Sequence, residues 1–481
     1  MRQLVISRDT LETRVALLEE GSPVELYVER PGYQSLVGNI YKGRVENVLA
    51  GMDAAFIDIG LERNGFLYVD EVATPEGRGG QARKITNLLQ GGKEVLVQVA
   101  RDAMGNKGPR LTTQLGIVGR HLVYLPRTSV AGVSRRLDDI ERERLRSICK
   151  ALDPSPGGMI IRTAAEGAGE EAIARDLRFL QRVWAGVERR IAMCGAPSLV
   201  YTEAELALRA VRDLLEPEFR SVLVDDPKLH RRLVNYLRTV APELAGLVEL
   251  SEGGMPLFER LGLDEEARKA LRRRVDLPSG GYIVIDHTEA MTVIDVNTGS
   301  YVGRRYLEDT ILRTNMEACR EIVRQLRLRD IGGIIVIDFI DMTVHSNRDA
   351  VLMTLEAELA QDRSKTYVVE VSPLGLVEMT RHSVTRGLRE MITVLCPYCY
   401  GNGRVLSEES ALIAVERRLR ALALSSTLPG LRIEVHPRIA ARLLAGRNPL
   451  LQQLERETSH RVILQAADES VHLDHVAVMP D

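Results

Sequence analysis

The sequence predicts a multidomain α+β protein, on three observations. The chain has 481 residues, and at ~100–200 residues per domain it holds three or four folding units. Between residues 36 and 113 short alternating strands follow one another, the pattern of a small OB-type barrel. From residue 280 the pattern becomes hairpin, long helix and strand, a β-α-β unit whose flanking strands should be parallel and its crossover right-handed. With 45% hydrophobic and 27% charged residues, real cores can form. No basic-then-apolar leader and no run of ~18 apolar residues is present, so neither a secreted precursor nor a membrane span is expected. Five cysteines exclude a disulfide scaffold and suit a reducing cytoplasm.

In chain order, residues 3–7, 13–18 and 25–29 read as strands around the Gly21-Ser22-Pro23 break. Residues 38–48, 53–59, 65–69 and 94–99 are the barrel strands, and the Gly- and Arg-rich stretch 73–81 reads as a mobile loop. Strands at 122–125 and 159–162 precede a helix over 170–193. Residues 203–275 read as mainly helical. Strands at 282–286 and 291–296, a helix over 306–328 and a strand over 333–340 follow. The remainder, 408–481, alternates helices with strands at 432–436 and 461–465, a small α/β domain.

The net charge of −3 hides a bias: only 8 of the 64 basic residues are Lys. A GC-rich genome explains this, and so does phosphate recognition, which suits the guanidinium fork. With six Phe and one Trp in the chain, each exposed-looking Phe is informative.

Four groups of residues could carry chemistry. The two-residue period of Val293-Ile294-Asp295-Val296-Asn297 puts Asp295 and Asn297 on one face, and Asp338 ends the apolar run Ile335-Val336-Ile337. In a β-α-β unit both aspartates reach the carboxyl ends of parallel strands, where open α/β sheets bind ligands. Two carboxylates there repel unless a cation joins them. Magnesium suits, because it takes one or two carboxylates and keeps waters. Aspartates at strand ends are also ordinary turn formers, as Asp286, Glu289 and Asp341 are read to be. Second, Cys396-Pro397-Tyr398-Cys399, followed by Gly401 and Gly403, is half of a four-ligand structural zinc site. Cys149, Cys194 and Cys319 are scattered and look like core residues, so a second chain would complete the site. A redox dithiol lacks its β-α-β context, and the similar knuckle of DnaJ-type chaperones comes in several copies. Third, Tyr41-Lys42-Gly43-Arg44, Phe56, Phe66 and Lys107 suit the aromatic and basic surface with which OB folds hold single strands, although a core role is the default for any one Phe. Fourth, Ser134-Arg135-Arg136 and Arg162-Thr163 could bind a phosphate or could simply be solvated.

Together these residues resemble the ribonuclease E/G family of bacterial endoribonucleases over nearly the whole chain. The matching stretches are Asn39-Ile40-Tyr41-Lys42-Gly43, Ala54-Ala55-Phe56, Gly65-Phe66-Leu67, Gly105-Asn106-Lys107-Gly108, Ile294-Asp295-Val296-Asn297, the run from Arg327 to Met342, and the Cys-Pro-x-Cys knuckle. The length suggests the family's compact members, without the long tail that docks degradosome proteins.

The resemblance implies an RNase H-like domain split between 1–35 and 206–270, with the barrel (36–113) and a 5′-end sensor region (114–205) inserted in it. A DNase I-like catalytic domain (271–392), a zinc link (393–407) and a small C-terminal domain (408–481) complete the expected chain. It implies that Asp295 and Asp338 hold magnesium with Asn297 orienting them, and that Cys396 and Cys399 share a zinc between protomers of a homo-oligomer, a dimer or tetramer. Phe56, Phe66 and Lys107 would contact RNA. Arg162 and Thr163 would hold a 5′-monophosphate, with Gly119, Val123 and Arg135 lining the same pocket. Where part of the family carries a further sensor Arg, this chain has Lys365, a point charge without the planar fork. The expected activity is magnesium-dependent cleavage of single-stranded RNA in ribosomal RNA maturation and mRNA decay, leaving 5′-phosphate and 3′-hydroxyl ends. A non-catalytic RNA-binding or ribosome-assembly protein is the alternative.

Overall fold

A computed structural model describes residues 1–73, 84–103, 107–299, 307–372, 375–383, 386–425, 430–444, 456 and 461–478. Most of the loop expected at 73–81, together with Asn106 and Tyr306, therefore lies outside the described residues. The chain divides into two compact units, Met1–Ile392 and Thr393–Asp481. No helix among the described residues is long and apolar enough to cross a membrane.

In the first unit, a five-stranded sheet has the order Val248–Leu250, Phe219–Val224, Arg2–Arg8, Thr13–Glu19, Ser22–Glu29. Arg2–Arg8 runs antiparallel to its hairpin partner and parallel to Phe219–Val224, more than 200 residues later in the chain. Both faces are covered. Leu4, Ile6, Val15 and Leu17 pack with Val211, Leu229, Leu233 and Leu237, and Val5, Ala16 and Leu26 pack with Phe258, Leu328 and Leu388. That is why the strands read as unbroken apolar runs.

Residues 203–275 are mainly helical, as expected, with Leu206–Leu214, Pro227–Val240, Leu257–Arg260 and Leu263–Lys269 among their helices. The sequence reading missed three strands in this stretch, Phe219–Val224, Val248–Leu250 and Arg274–Asp276. A strand buried on both faces has no alternation to reveal it, and three-residue strands are too short for any period.

Strands Ile40–Leu49, Ala54–Asp58, Gly65–Tyr68, Arg110–Thr112 and Glu94–Arg101 form the barrel, closed by pairing of the first with the last. Val45, Ile57, Leu67, Val97, Val99 and Leu111 fill it. Gly65 lets two strands approach, since a Cβ there would lie 2.3 Å from Leu111 Cδ1. Ser198–Tyr201 adds to the barrel's Ile40–Leu49 edge.

Between barrel and sheet, Ala131–Val133, Gly158–Ile161, Leu122–Leu125 and Ile117–Val118 form a four-stranded sheet. The long helix Glu170–Met193 packs on it through Ile173, Leu177, Leu180 and Trp184. A second helix, Asp139–Ala151, was not expected: it fully buries only Leu145 and Cys149, and most of its remaining residues are charged. Its start is nonetheless capped, because Asp138 Oδ1 accepts the Glu141 N–H at 2.8 Å.

The third sheet has the order Arg274–Asp276, Tyr282–His287, Met291–Asn297, Gly333–Asp338, Leu376–Arg381, Thr366–Val371. Only Met291–Asn297 and Gly333–Asp338 are parallel, joined through helix Leu307–Leu328. That helix and His345–Leu359 cover one face, where Ile294, Ile335 and Ile337 meet Ala318, Ile322 and Leu355. The strand expected over 333–340 stops at Asp338, because the Ile340 N–H and C=O are both taken by the buried side-chain amide of Asn315.

In the second unit, helix Glu408–Ser425 packs on a three-stranded sheet in which Gly430–Val435 is parallel to Arg461–Ala466 and antiparallel to Val476–Val478. Helix Pro437–Leu444 follows the central strand.

Arg327, near the end of helix Leu307–Leu328, ties the third sheet's layer to the first sheet. Its guanidinium reaches Glu25 at 2.9 Å and Glu19 at 3.2 Å, and both Arg327 and Glu25 are buried. Arg327→Ala would leave Glu25 buried without its counter-charge, which costs about 3–5 kcal/mol. The thermal unfolding midpoint should fall by several degrees. Arg146→Ala, which breaks an exposed pair with Glu143, should barely move it.

Candidate active site

The alternation of Met291–Asn297 buries Ile294 and Val296 and leaves Asp295 exposed and Asn297 half-exposed on the other face. In the parallel ladder Asp295 pairs directly with Asp338, which is the last residue of its strand. The Asn297 side-chain amide donates to Asp295 Oδ2 at 2.7 Å and so orients that carboxylate. Partial burial, and then the charges of Asp295 and Asp341, raise the Asp338 carboxyl above its ordinary value. Asp341 is therefore more than a turn former, since it adds a third negative charge to this edge. Asp286 belongs elsewhere, in a bidentate pair with Arg273 at 2.5 Å.

Among the described residues no three His, Cys, Asp or Glu side chains converge as a metal cage. Two exposed carboxylates in register, with a side-chain amide holding one of them, instead fit a hard cation that keeps most of its waters. The magnesium expected from the sequence matches that donor set.

On the barrel, Phe56 and Phe66 are cross-strand partners and lie on the outer face, half-exposed, while their neighbours Ala55, Ile57 and Leu67 are buried. Their rings meet edge to face with centroids 5.4 Å apart. Two residues the sequence reading missed extend the row. Tyr68 stands edge-on to Phe66 at 4.6 Å, and the Arg110 guanidinium lies 5.1 Å above the Tyr68 ring, held by Glu71 at 3.0 Å. Tyr68 could have been found from the two-residue period that it shares with Phe66. Arg110 could not, because only the pairing of Phe66 with Arg110 places it there. Lys107 is exposed, two residues before Pro109, whose carbonyl accepts the Phe66 N–H at 2.8 Å.

Tyr41, Lys42 and Arg44 do not belong to this surface. Tyr41 is buried in the barrel core. Lys42 donates to Cys194 O at 2.9 Å and pairs with Glu94, and Arg44 donates to Ala196 O at 3.1 Å. These cations hold the chain that leads into Ser198–Tyr201. Cys149 and Cys319 are buried as expected, but Cys194, in that same segment, is only partly covered.

In the four-stranded sheet, Gly158–Ile161 lies between Leu122–Leu125 and the parallel Ala131–Val133. Arg162 and Thr163 thus emerge beside Ser134 and Arg135, and the Thr163 and Ser134 hydroxyls are 2.9 Å apart. Arg162 Nη1 donates to Gly119 O at 2.6 Å, Arg120 O at 3.3 Å and Asp213 Oδ1 at 2.8 Å. Gly119 must lack a side chain, since a Cβ would lie 2.5 Å from Asp176 Oδ2. Val123 is one residue inside its strand, opposite Ile160, and Arg135 is exposed. Burial pushes the neighbouring His121 imidazole down to about 4, with Arg120 and Arg162 adding to the effect, so it is neutral at pH 7. Lys365 is exposed, and its carbonyl accepts the His382 N–H at 2.9 Å.

In the second unit, the Tyr400 N–H donates to Cys396 O and the Asn402 N–H to Cys399 O, both at 2.8 Å. Gly401 and Gly403 have φ of 85° and 66°, turning the chain after the knuckle. Cys396 is exposed and Cys399 partly so, and the two thiols fit half of a tetrahedral thiolate site. His472 stacks on Tyr398 at 4.6 Å and on Tyr400 at 5.8 Å, anchoring the knuckle to the small sheet's last loop.

Comparison with known proteins gives a consistent result. The model of the Ribonuclease E/G family matches residues 116–384, and that of the RNase E/G thioredoxin-like domain matches residues 395–479. In that second match the β-α-β arrangement lies downstream of the cysteines. Ribonuclease G of Escherichia coli K12 is 42% identical over 425 residues, 87% of each chain. Ribonuclease G of Haemophilus influenzae is 40% identical over the same length. Ribonuclease E of Escherichia coli K12 is 35% identical over 476 residues, 97% of this chain and 45% of that one.

Proposed function

Because the chain belongs to the ribonuclease E/G family and is an endoribonuclease, we propose that it cuts single-stranded RNA at a magnesium ion held by Asp295 and Asp338, preferring substrates with a 5′-monophosphate. The direct pairing of those two aspartates at one edge of a parallel strand pair carries this reading. Magnesium bound there supplies a Lewis acid and lowers the pKa of a coordinated water. Asn297 fixes the Asp295 carboxylate by donating to its Oδ2. Both aspartates are exposed, so a chain longer than the site can lie across them. Hydrolysis leaves a 5′-phosphate and a 3′-hydroxyl.

Phe56, Phe66 and Lys107 hold the single strand in this reading, and Tyr68 and Arg110 continue the platform. Arg162 and Thr163 take the terminal phosphate beside Gly119, Val123 and Arg135, with Lys365 adding a point charge. Cys396 and Cys399 share a zinc with a second copy in a dimer or tetramer. Ribosomal RNA precursors and mRNA are the substrate class. A purely RNA-binding role is set aside by the family's activity.

The central experiment compares a short labelled RNA carrying 5′-monophosphate or 5′-hydroxyl, with and without magnesium. Cleavage should require magnesium and be faster on the monophosphate. Asp295→Asn or Asp338→Asn should lower it by orders of magnitude while RNA binding largely survives, and near wild-type cutting by either variant would refute the metal site.

Stacking is worth ~1–3 kcal/mol per base, so Phe66→Ala or Tyr68→Ala should weaken RNA binding roughly 5- to 150-fold. Because the rings lie outside the core, melting temperature should change little. A large drop in melting temperature at unchanged affinity would assign them to packing. Metal analysis with light scattering should find one zinc per two chains, lost together with self-association in the Cys396→Ser/Cys399→Ser double variant. One zinc per chain would mean a closed site.

A further inference from the structure

A guanidinium carries five N–H donors in one plane. Every described hydrogen bond of the Arg162 guanidinium falls on Nη1, which is shared by Gly119 O, Arg120 O and Asp213 Oδ1. Among the described residues Nε and Nη2 make none. They form the edge suited to a bidentate bond with phosphate.

Asp213 is the one charged acceptor of the three, and it is itself clamped. Arg212 Nε donates to its Oδ1 at 3.1 Å and Arg212 Nη2 to its Oδ2 at 2.9 Å. Arg212 in turn reaches Glu203 at 2.6 Å and Val118 O at 3.0 Å. Arg363 donates to the Asp213 and Leu214 carbonyls at 3.1 and 3.2 Å, and its own carbonyl accepts from Arg136 at 2.7 Å. Burial would raise the Asp213 carboxyl, but Arg212 and then Arg162 outweigh it and hold it below the usual range. The group is thus an anion fixed between two guanidiniums that would otherwise repel.

We propose that Asp213 is a positioning residue for 5′-end recognition, holding Arg162 by Nη1 so that its Nε–Nη2 edge is left for the terminal phosphate. This rests on the reading of Arg162 as a phosphate ligand. Nothing near residue 213 in the sequence signals the role, since Asp213 comes from helix Leu206–Leu214, 51 positions from Arg162.

The test measures kcat and KM on two RNAs of one sequence, with 5′-monophosphate or 5′-hydroxyl, for wild type, Asp213→Asn, Arg162→Ala and the double variant. Losing a charged hydrogen-bond acceptor behind Arg162 should cut the monophosphate preference about tenfold, through KM of the monophosphate substrate. The double variant should lose no more preference than Arg162→Ala alone. Asp213→Glu keeps the charge that Arg212 needs while displacing Arg162, so it should also lower the preference. Equal losses on both RNAs, an unchanged preference in both Asp213 variants, or additive losses in the double variant would overturn the proposal. Full preference in Arg162→Ala would instead overturn the phosphate-ligand reading beneath it.

Discussion

Parallel pairing of Met291–Asn297 with Gly333–Asp338 sets Asp295 against Asp338, and a one-residue slip in either strand would turn its carboxylate into the packed face. The register is fixed from behind, where Ile294, Val296, Ile335 and Ile337 are buried under two helices. It is also fixed at the end, where Asn315 pairs with both backbone groups of Ile340 and stops the ladder at Asp338. The apolar layer therefore holds together two like charges that would separate if left to themselves. In the proposed function, a bound cation would relieve that repulsion.

The chain's surplus of arginine acquires a second meaning in the structure. Arg327 joins two sheets through Glu19 and Glu25, Arg381 binds Asp362 and Asp330 within 2.8 Å, and Arg212 links Glu203 to Asp213. These forks are buried and address carboxylates and carbonyls inside the protein. A planar fork suits internal carboxylates as well as a nucleic-acid phosphate, so composition alone could not separate the two uses. Buried ion pairs of this kind contribute little net stability, but each one specifies which element lies against which.

Local pattern made most of the barrel and the middle of the third sheet legible, because one-sided burial writes itself into the sequence as alternation. That sheet's strands Arg274–Asp276, Thr366–Val371 and Leu376–Arg381 went unread. The aspartate pair was legible for the same reason: Asp295 and Asn297 had to share a face whatever the partner strand was. Phe56 and Phe66 could be located on strands but not assigned to a face, since an exposed and a buried Phe read alike. The strand Phe219–Val224 escaped notice because burial on both sides erases its period, and helix Asp139–Ala151 because it buries so little. Arg110 and Asp213 escaped for a different reason. Their roles come from strand register and long-range packing, which no window of sequence contains.

The first sheet has a consequence for how the protein is made. Its second strand in space, Phe219–Val224, is synthesised about 10–40 s after Arg2–Arg8 at ~5–20 residues per second. Until then the opening three-stranded meander leaves the Arg2–Arg8 edge unpaired and both of its apolar faces uncovered. The barrel needs nothing beyond Thr112 to close its ring. The barrel can therefore be complete while the first sheet is still a fragment, so a folded module would trail an opening segment that has no finished core.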